Sequence, residues 1–239
     1  MNHNVGHQVT WTREKIARFW EYYSQTNAVE DNYFSKQLGD TVIKYVKKHI
    51  FLGGNVLDYG CGPGFLIEKL LRDQITCSGL DAVESNVKII KTKFDGNPYF
   101  GGAYYADKLP TAIQDEQFDV VFLVETIEHL LADDLQAVLR EMHRLAKKGG
   151  KVVITTRNNE NLDVKKIICP DCGGVFHQMQ HVSSWTTHSL STLMAEYGFN
   201  KIICTTETFR PRTVWGYLLK VMDFIRRLPA VNLVYIGEK

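Results

Sequence analysis

A chain of 239 residues that is 44% hydrophobic and 23% charged carries enough apolar material for one sizeable core, which excludes global disorder and makes a single α/β domain the expectation. Its 28 basic and 27 acidic side chains leave a formal charge of +1, so nothing in the balance advertises a polyanionic partner, and nucleic acid is not expected. The start, Met1-Asn2-His3-Asn4-Val5-Gly6-His7, lacks the plan of a secretory leader, and no apolar run approaches the roughly 20 residues of a bilayer span; a cytoplasmic protein is expected.

Residues 1–54 read as a helical cap, in which Trp11, Phe19, Trp20, Tyr22 and Tyr23, then Tyr33 and Phe34, then Val42, Ile43, Tyr45 and Val46 predict two helices. From 55 to 156 short apolar strands alternate with longer helical segments. The predicted strands are Val56 to Tyr59, Thr76 to Leu80, Tyr99 to Tyr105, Phe118 to Val124 and Lys151 to Thr155. Before the last of these, Leu135, Val138, Leu139, Met142 and Leu145 follow helical spacing, with Asp133 placed to cap the helix and Gly149-Gly150 to end it. Such alternation implies parallel strands joined by right-handed crossovers, a doubly wound sheet with helices on both faces. Ligands of such sheets bind beyond the carboxyl ends of the strands, so the residues just after each strand carry the function.

After Thr155 the pattern breaks over 157–185, the place for a substrate lid or a zinc knuckle. It returns over 186–239 as a helix through Leu190, Leu193 and Met194 with Gly198 behind it, a strand Ile202 to Thr205, and a final strand Val231 to Ile236. An insertion at 209–229 holds Trp215, Tyr217, Leu218, Leu219, Val221, Met222, Phe224 and Ile225 at roughly helical spacing and ends on Arg226-Arg227. It reads as a helix covering the core, with a membrane-surface or lipid-substrate role as the alternative.

The strongest signal is Asp58-Tyr59-Gly60-Cys61-Gly62-Pro63-Gly64, where a strand hands over to a helix beginning at Phe65 and Leu66. A dinucleotide fingerprint would need its third glycine at 65, where Phe65 stands; the spacing is Gly-x-Gly-x-Gly, with an acid following at Asp81. Together these residues resemble the first two motifs of the class I S-adenosylmethionine-dependent methyltransferases, of the group that includes the quinone-biosynthesis O-methyltransferases. The match spans the alternating core from 55 to 155.

That resemblance implies a Rossmann-like, mainly parallel seven-stranded sheet with an antiparallel last strand, in one methyltransferase domain, with S-adenosylmethionine as cofactor. It also implies Gly60, Cys61, Gly62 and Gly64 along the cofactor and Asp58 organising its methionine end. Asp81, with Ala82 beside it, would accept both ribose hydroxyls, Asp107 would accept from the adenine amino group, and Glu125 would lie under the methionine portion.

Glu125, Glu128 and His129 stand at i, i+3 and i+4 on one helical face. Three roles are open: a divalent-cation site, as in the similar Glu-x-x-Glu-His of quinone-biosynthesis and small-RNA 2′-O-methyltransferases; His129 as base or orienter; or simple shaping of the cofactor pocket. Cys169-Pro170-Asp171-Cys172-Gly173-Gly174 resembles a zinc knuckle, and His177 and His181 follow closely enough to offer a Cys2His2 set. The competing reading puts His177 or His181 in the acceptor pocket as a base. The expected function is methyl transfer to a small-molecule or biosynthetic acceptor, at oxygen; an RNA 2′-O-methyltransferase and a non-catalytic cofactor-binding protein are the alternatives.

Overall fold

The computed structural model describes residues 6–26, 31–226 and 228–239; Met1 to Val5, and Arg227 at the basic end of the 209–229 insertion, lie outside them. The chain runs β1 (His7–Gln8), α1 (Arg13–Gln25), α2 (Phe34–Val46), β2 (Asn55–Tyr59), α3 (Phe65–Arg72), β3 (Thr76–Asp81), α4 (Glu84–Lys93), β4 (Phe100–Tyr105) and β5 (Phe118–Val124). It continues through a short 3-10 turn (Ile127–His129), α5 (Ala132–Leu145), β6 (Ala146–Arg157), β7 (Lys166–Ile168), β8 (Gly174–His177), α6 (Thr187–Glu196), β9 (Asn200–Glu207), α7 (Val214–Ile225) and β10 (Asn232–Glu238).

Seven strands form one sheet in the order β4-β3-β2-β5-β6-β10-β9, parallel except where β10 runs against both β6 and β9. This is the doubly wound architecture the sequence predicts. The order reverses between β2 and β5, so a crevice opens at their carboxyl ends. Central strands are apolar nearly throughout because both faces are covered. One face packs Val56, Val120 and Phe122 against Val42 and Ile43 of α2, Leu66 and Leu70 of α3 and Ile90 of α4. The other packs Leu57, Val121 and Leu123 against Leu139 and Met142 of α5 and Leu190 and Met194 of α6.

Two local expectations are corrected. Asp133 does not cap α5: Leu131 occupies the cap position, and Asp133 and Asp134 sit in the first turn, where they still complement the positive end of the helix dipole. Gly149-Gly150 does not end that helix either, because Ala146 is already extended and begins β6, which pairs Ala146 with Phe118. The ladder with β5 starts at Ala146 and, after a register shift that skips the glycines, resumes with Lys151 opposite Val120.

The break at 157–185 contains structure that periodicity did not reveal. β7 and β8 form a hairpin, and β1 joins β8 in parallel with His7 opposite Gly174. Trp11 packs edge-on against Phe176 at 5.8 Å and against Phe19 of α1 at the same distance. Cap and lid, separate in the sequence, are therefore one roof.

Candidate functional site

β2 carries Asp58 and Tyr59 to the crevice, and the chain turns into α3 through the glycine loop. The amides of Gly60 and Cys61 donate to the carbonyl of Leu80 at 2.8 and 3.2 Å. Gly60 adopts φ +74°, and a Cβ there would stand 2.7 Å from Thr126 Oγ1, so only glycine brings the loop this close to the end of β5. Asp81 holds the loop from the next strand: Oδ2 accepts from the Gly62 amide at 2.8 Å, and Oδ1 accepts from the Val83 amide at 2.8 Å and Asn86 Nδ2 at 3.2 Å. A carboxylate has about four acceptor sites, so this one organises the loop and retains capacity toward a ligand hydroxyl.

Asp58 is buried, and burial together with the charge of Asp81 pushes its carboxyl up to about 7. Proton binding by the folded state thus stabilises it at low pH, and that contribution is lost as pH rises from about 4 through 7. The neighbouring thiols of Cys61 and Cys77 are likewise pushed up by burial, so they add no negative charge near neutrality. A cationic ligand beside Asp58 favours the carboxylate. Affinity for S-adenosylmethionine is therefore expected to tighten by about tenfold or more between pH 5.5 and 7.5, and Asp58→Asn to flatten the profile. Titration calorimetry across that range checks this; an unchanged slope in the variant would remove Asp58 from the role. Tyr33 roofs the loop, its ring 5.4 Å from that of Phe65, and burial and Asp81 push its hydroxyl up to about 12. Asp107 follows β4 and is exposed at the rim.

The second half of the site stands at the ends of β5 and β6. Glu125 takes φ +47° and Gln180 φ +59°, left-handed backbone that costs non-glycine residues of order 1–3 kcal/mol and marks positions held by their surroundings. Ligand-type atoms of Glu128, His129 and His181 lie within 4.8 Å of one another, as do those of Glu160, His177 and His181. Buried and without a hydrogen-bond partner are Glu125 Oε1, both carboxylate oxygens of Glu128, His129 Nδ1 and the hydroxyls of Thr155 and Thr156. Such a concentration of unsatisfied acceptors is costly unless something binds there.

Burial and the charge of Glu125 push Glu128 well above the usual carboxylate range, while burial raises Glu125 to about 7. Burial and the neighbouring His181 lower His129 to about 3, so its imidazole is neutral and available as a ligand.

His181 reaches this cluster because the lid is laced to it. The amides of Val182 and Ser183 donate to the carbonyl of Glu128 at 2.9 and 3.3 Å, and Gln180 Nε2 donates to the carbonyl of His129 at 3.0 Å. Trp20 Nε1 of α1 donates to Gln180 Oε1 at 3.0 Å, and Ser24 of α1 bonds Ser85 of α4 at 2.8 Å, so α1 spans the crevice from the cofactor side to the lid. His177 stacks on His181 at 4.4 Å, and its Nδ1 accepts from the amides of Met179 and His181, which places its proton on Nε2. Burial and His181 lower His177 to about 4.

The Cys2His2 set does not assemble. His177 and His181 turn inward to Glu160 and Glu128, and among the described residues neither Cys169 nor Cys172 belongs to a group of three ligand-type side chains. The cysteines sit at the far tip of the β7–β8 hairpin, where backbone amides of Cys172 and Asp171 lower the Cys169 thiol. The hairpin reach separates them from the histidines that follow in sequence.

Glu160 was not singled out by pattern. It follows β6 in the polar run Arg157-Asn158-Asn159-Glu160, where the strand-end rule alone would have found it. Its side chain is only 8% exposed and binds His181 Nδ1, with Arg157 Nε at 2.9 Å. Burial pushes its carboxyl up, but the hydrogen bond to His181 and the nearby charges outweigh that and hold it below the usual range.

Comparison with known proteins bears on this site. Residues 29–203 match the family model described as a methyltransferase domain. The ubiquinone biosynthesis O-methyltransferase of Escherichia coli (strain K12 / DH10B) is 28% identical over 171 residues, 66% of this chain. The matched part spans 64% of the length of that relative. Among solved structures, the [4+2]-cyclase SpnF superposes with a TM-score of 0.67 at 16% identity, covering 98% of both chains. The Burkholderia thailandensis 1,6-didemethyltoxoflavin-N1-methyltransferase, solved with S-adenosylhomocysteine, gives 0.65 at 14% identity, covering 98% of this chain and 92% of that one. At such identities the likeness is one of fold, and the presence of a cyclase shows that chemistry must be argued from the site.

Proposed function

The chain belongs to the methyltransferase-domain family, as a class I S-adenosylmethionine-dependent methyltransferase, and from that premise we propose that it methylates a hydroxyl oxygen of a small-molecule acceptor at a cation-assisted centre. The carrying observation is Glu128, buried with both oxygens unpartnered and facing His129 and His181. The name of the Escherichia coli relative favours oxygen as the acceptor atom.

When bound, the cofactor supplies a methyl group already activated on a sulfonium, so positioning carries much of the rate. Asp58 neutralises the methionine end, Asp81 orients the ribose, and Gly60 and Gly62 let the backbone approach. Glu128, His129 and His181, with Glu125 behind them, are the residues that would hold a divalent cation, whose Lewis acidity lowers the pKa of an acceptor hydroxyl. The acceptor oxygen attacks the methyl carbon, the carbon–sulfur pair returns to sulfur, and the hydroxyl proton leaves toward the carboxylate and imidazole cluster. α1 and the lid close over the crevice through Trp20 and Gln180 and exclude water.

Active protein is expected to lose turnover on treatment with EDTA and regain it when a divalent cation is added back. Full turnover without metal would replace this reading by one in which His181, oriented by Glu160, acts alone as base.

Glu160 gives a separate prediction. Because it fixes the His181 ring from behind, Glu160→Gln is expected to lower both cation affinity and turnover by about 10- to 100-fold, with S-adenosylhomocysteine binding unchanged. Glu160→Asp, which keeps the charge but shortens the reach, should fall between. Wild-type turnover in the glutamine variant would exclude the orienting role.

A further inference from the structure

A cluster of exposed apolar side chains lies on α7. Val214 is 81% exposed, Trp215 66% and Ile225 69%, and Leu218 and Met222 are also exposed. At about 100° per residue these five side chains fall within roughly 100° of arc, a single stripe along the helix. Leu228, just past the helix, continues the exposed apolar surface. A stripe of this kind facing water is unfavourable by itself and marks a contact surface.

The charge around it selects the partner. The helix carries one acid, Asp223, and Arg210 neutralises it at 2.6 Å. Arg212 precedes the stripe and Arg226 flanks its far end, both exposed. Arg212 also joins a shallow pocket with Lys44, Lys47 and Arg72, where Asp40 and Asp73 are the only acids, so four cations there meet two anions. An apolar stripe rimmed by cations matches a bilayer with anionic headgroups, into which the stripe inserts while the arginines contact phosphate. No helix among the described residues is long and apolar enough to cross a membrane, and α7, at 12 residues, suits lying in the interface plane.

Placement gives the contact a purpose. α7 joins the end of β9 to the start of β10, and Asn232, which opens β10, pairs with both Glu207 and Arg157, the residues that end β9 and β6. The helix therefore stands on the carboxyl edge of the sheet, the edge that carries the glycine loop and the histidine cluster. Its base is fixed to the cap: Thr41 donates to the carbonyl of Arg210 at 2.9 Å, and Phe209 packs against Phe34 and Tyr45.

We propose that α7 docks the protein on the surface of an anionic phospholipid bilayer, with Trp215, Leu218 and Ile225 inserted and Arg212 and Arg226 on headgroup phosphates. The inference stands apart from the identity of the acceptor and from the cation reading.

Flotation with vesicles tests it. The full chain is expected to float with vesicles of equal phosphatidylcholine and phosphatidylglycerol, and at least tenfold less with phosphatidylcholine alone or in high salt. Trp215→Asp combined with Leu218→Asp should abolish flotation, and Arg212→Glu combined with Arg226→Glu should lower it at least fivefold. Unchanged S-adenosylhomocysteine affinity would show that these variants remain folded. Equal binding to both lipid compositions, or wild-type flotation by the aspartate variant, would overturn the proposal. So would a lipid-free dimer that sediments as a monomer only in the aspartate variant, since a second copy would then cover the stripe.

Discussion

Replacing Asp81 by alanine is expected to weaken the binding of both S-adenosylmethionine and S-adenosylhomocysteine by at least about 100-fold. Two losses combine. Hydrogen bonds to a charged group contribute about 1.5–3 kcal/mol each, so removing acceptance of one ribose hydroxyl alone predicts roughly 10- to 150-fold. The same carboxylate accepts from the Gly62 and Val83 amides and from Asn86, so the variant also frees the glycine loop from the start of α4. Asp81→Asn separates the two effects, because its one carbonyl oxygen keeps part of the acceptance, and it should fall between wild type and alanine. The measurement is calorimetric titration alongside a thermal midpoint. Wild-type affinity in a folded alanine variant would sink the assignment of this crevice as the cofactor site.

Glu128→Gln is expected to lower turnover by about a thousandfold while leaving S-adenosylhomocysteine affinity within about twofold and the stability of the metal-free protein undiminished. The first effect follows from removing the charged ligand at the centre of the Glu128, His129 and His181 group, which would hold a divalent cation whose Lewis acidity would contribute several kcal/mol. The second follows because Glu128 lies at the lid and not at the glycine loop. The third follows from burial: a carboxylate 1% exposed, with neither oxygen bonded and Glu125 close by, is a burden to the fold, and the neutral amide lightens it. Lost activity with retained or raised thermal midpoint is the signature of a residue kept for function. A folded variant with wild-type turnover would refute the cation-assisted centre, and a collapse in midpoint would show Glu128 to be a structural group instead.

The glycine loop and the acid that holds it were legible because their information is local. Asp58, Gly60, Gly62 and Gly64 occupy one turn, and Asp81 ends the neighbouring strand at a spacing set by a single crossover helix. Periodicity likewise located β2, β3, β5 and the helix through Leu139 and Met142, since burial on both faces of a parallel sheet leaves a continuous apolar record. Local signals failed where longer pairing prevailed. Gly149-Gly150 promised a helix end, yet α5 stops earlier, at Leu145, where Ala146 pairs with Phe118 of β5.

The acceptor half could not be read in that way. His129 and His181 are 52 positions apart, and what joins them is the Glu128 carbonyl accepting from Val182 and Ser183, a contact between backbones that leaves no mark in residue types. The knuckle reading was drawn by spacing along the chain, whereas the β7–β8 hairpin carries Cys169 and Cys172 outward and His177 inward. Glu160 acquires meaning only once it stands behind His181.

By itself, then, the sequence determined the doubly wound sheet and the crevice, because alternation, glycine spacing and strand-end acids are properties of neighbours, and the methyl donor came through the family resemblance those residues carry. Tertiary structure alone decided that the N-terminal cap and the lid form one roof, that His181 joins Glu128 and His129 in place of the cysteines, and that the α7 stripe faces outward. Each of these depends on which distant surfaces remain uncovered once the core has closed.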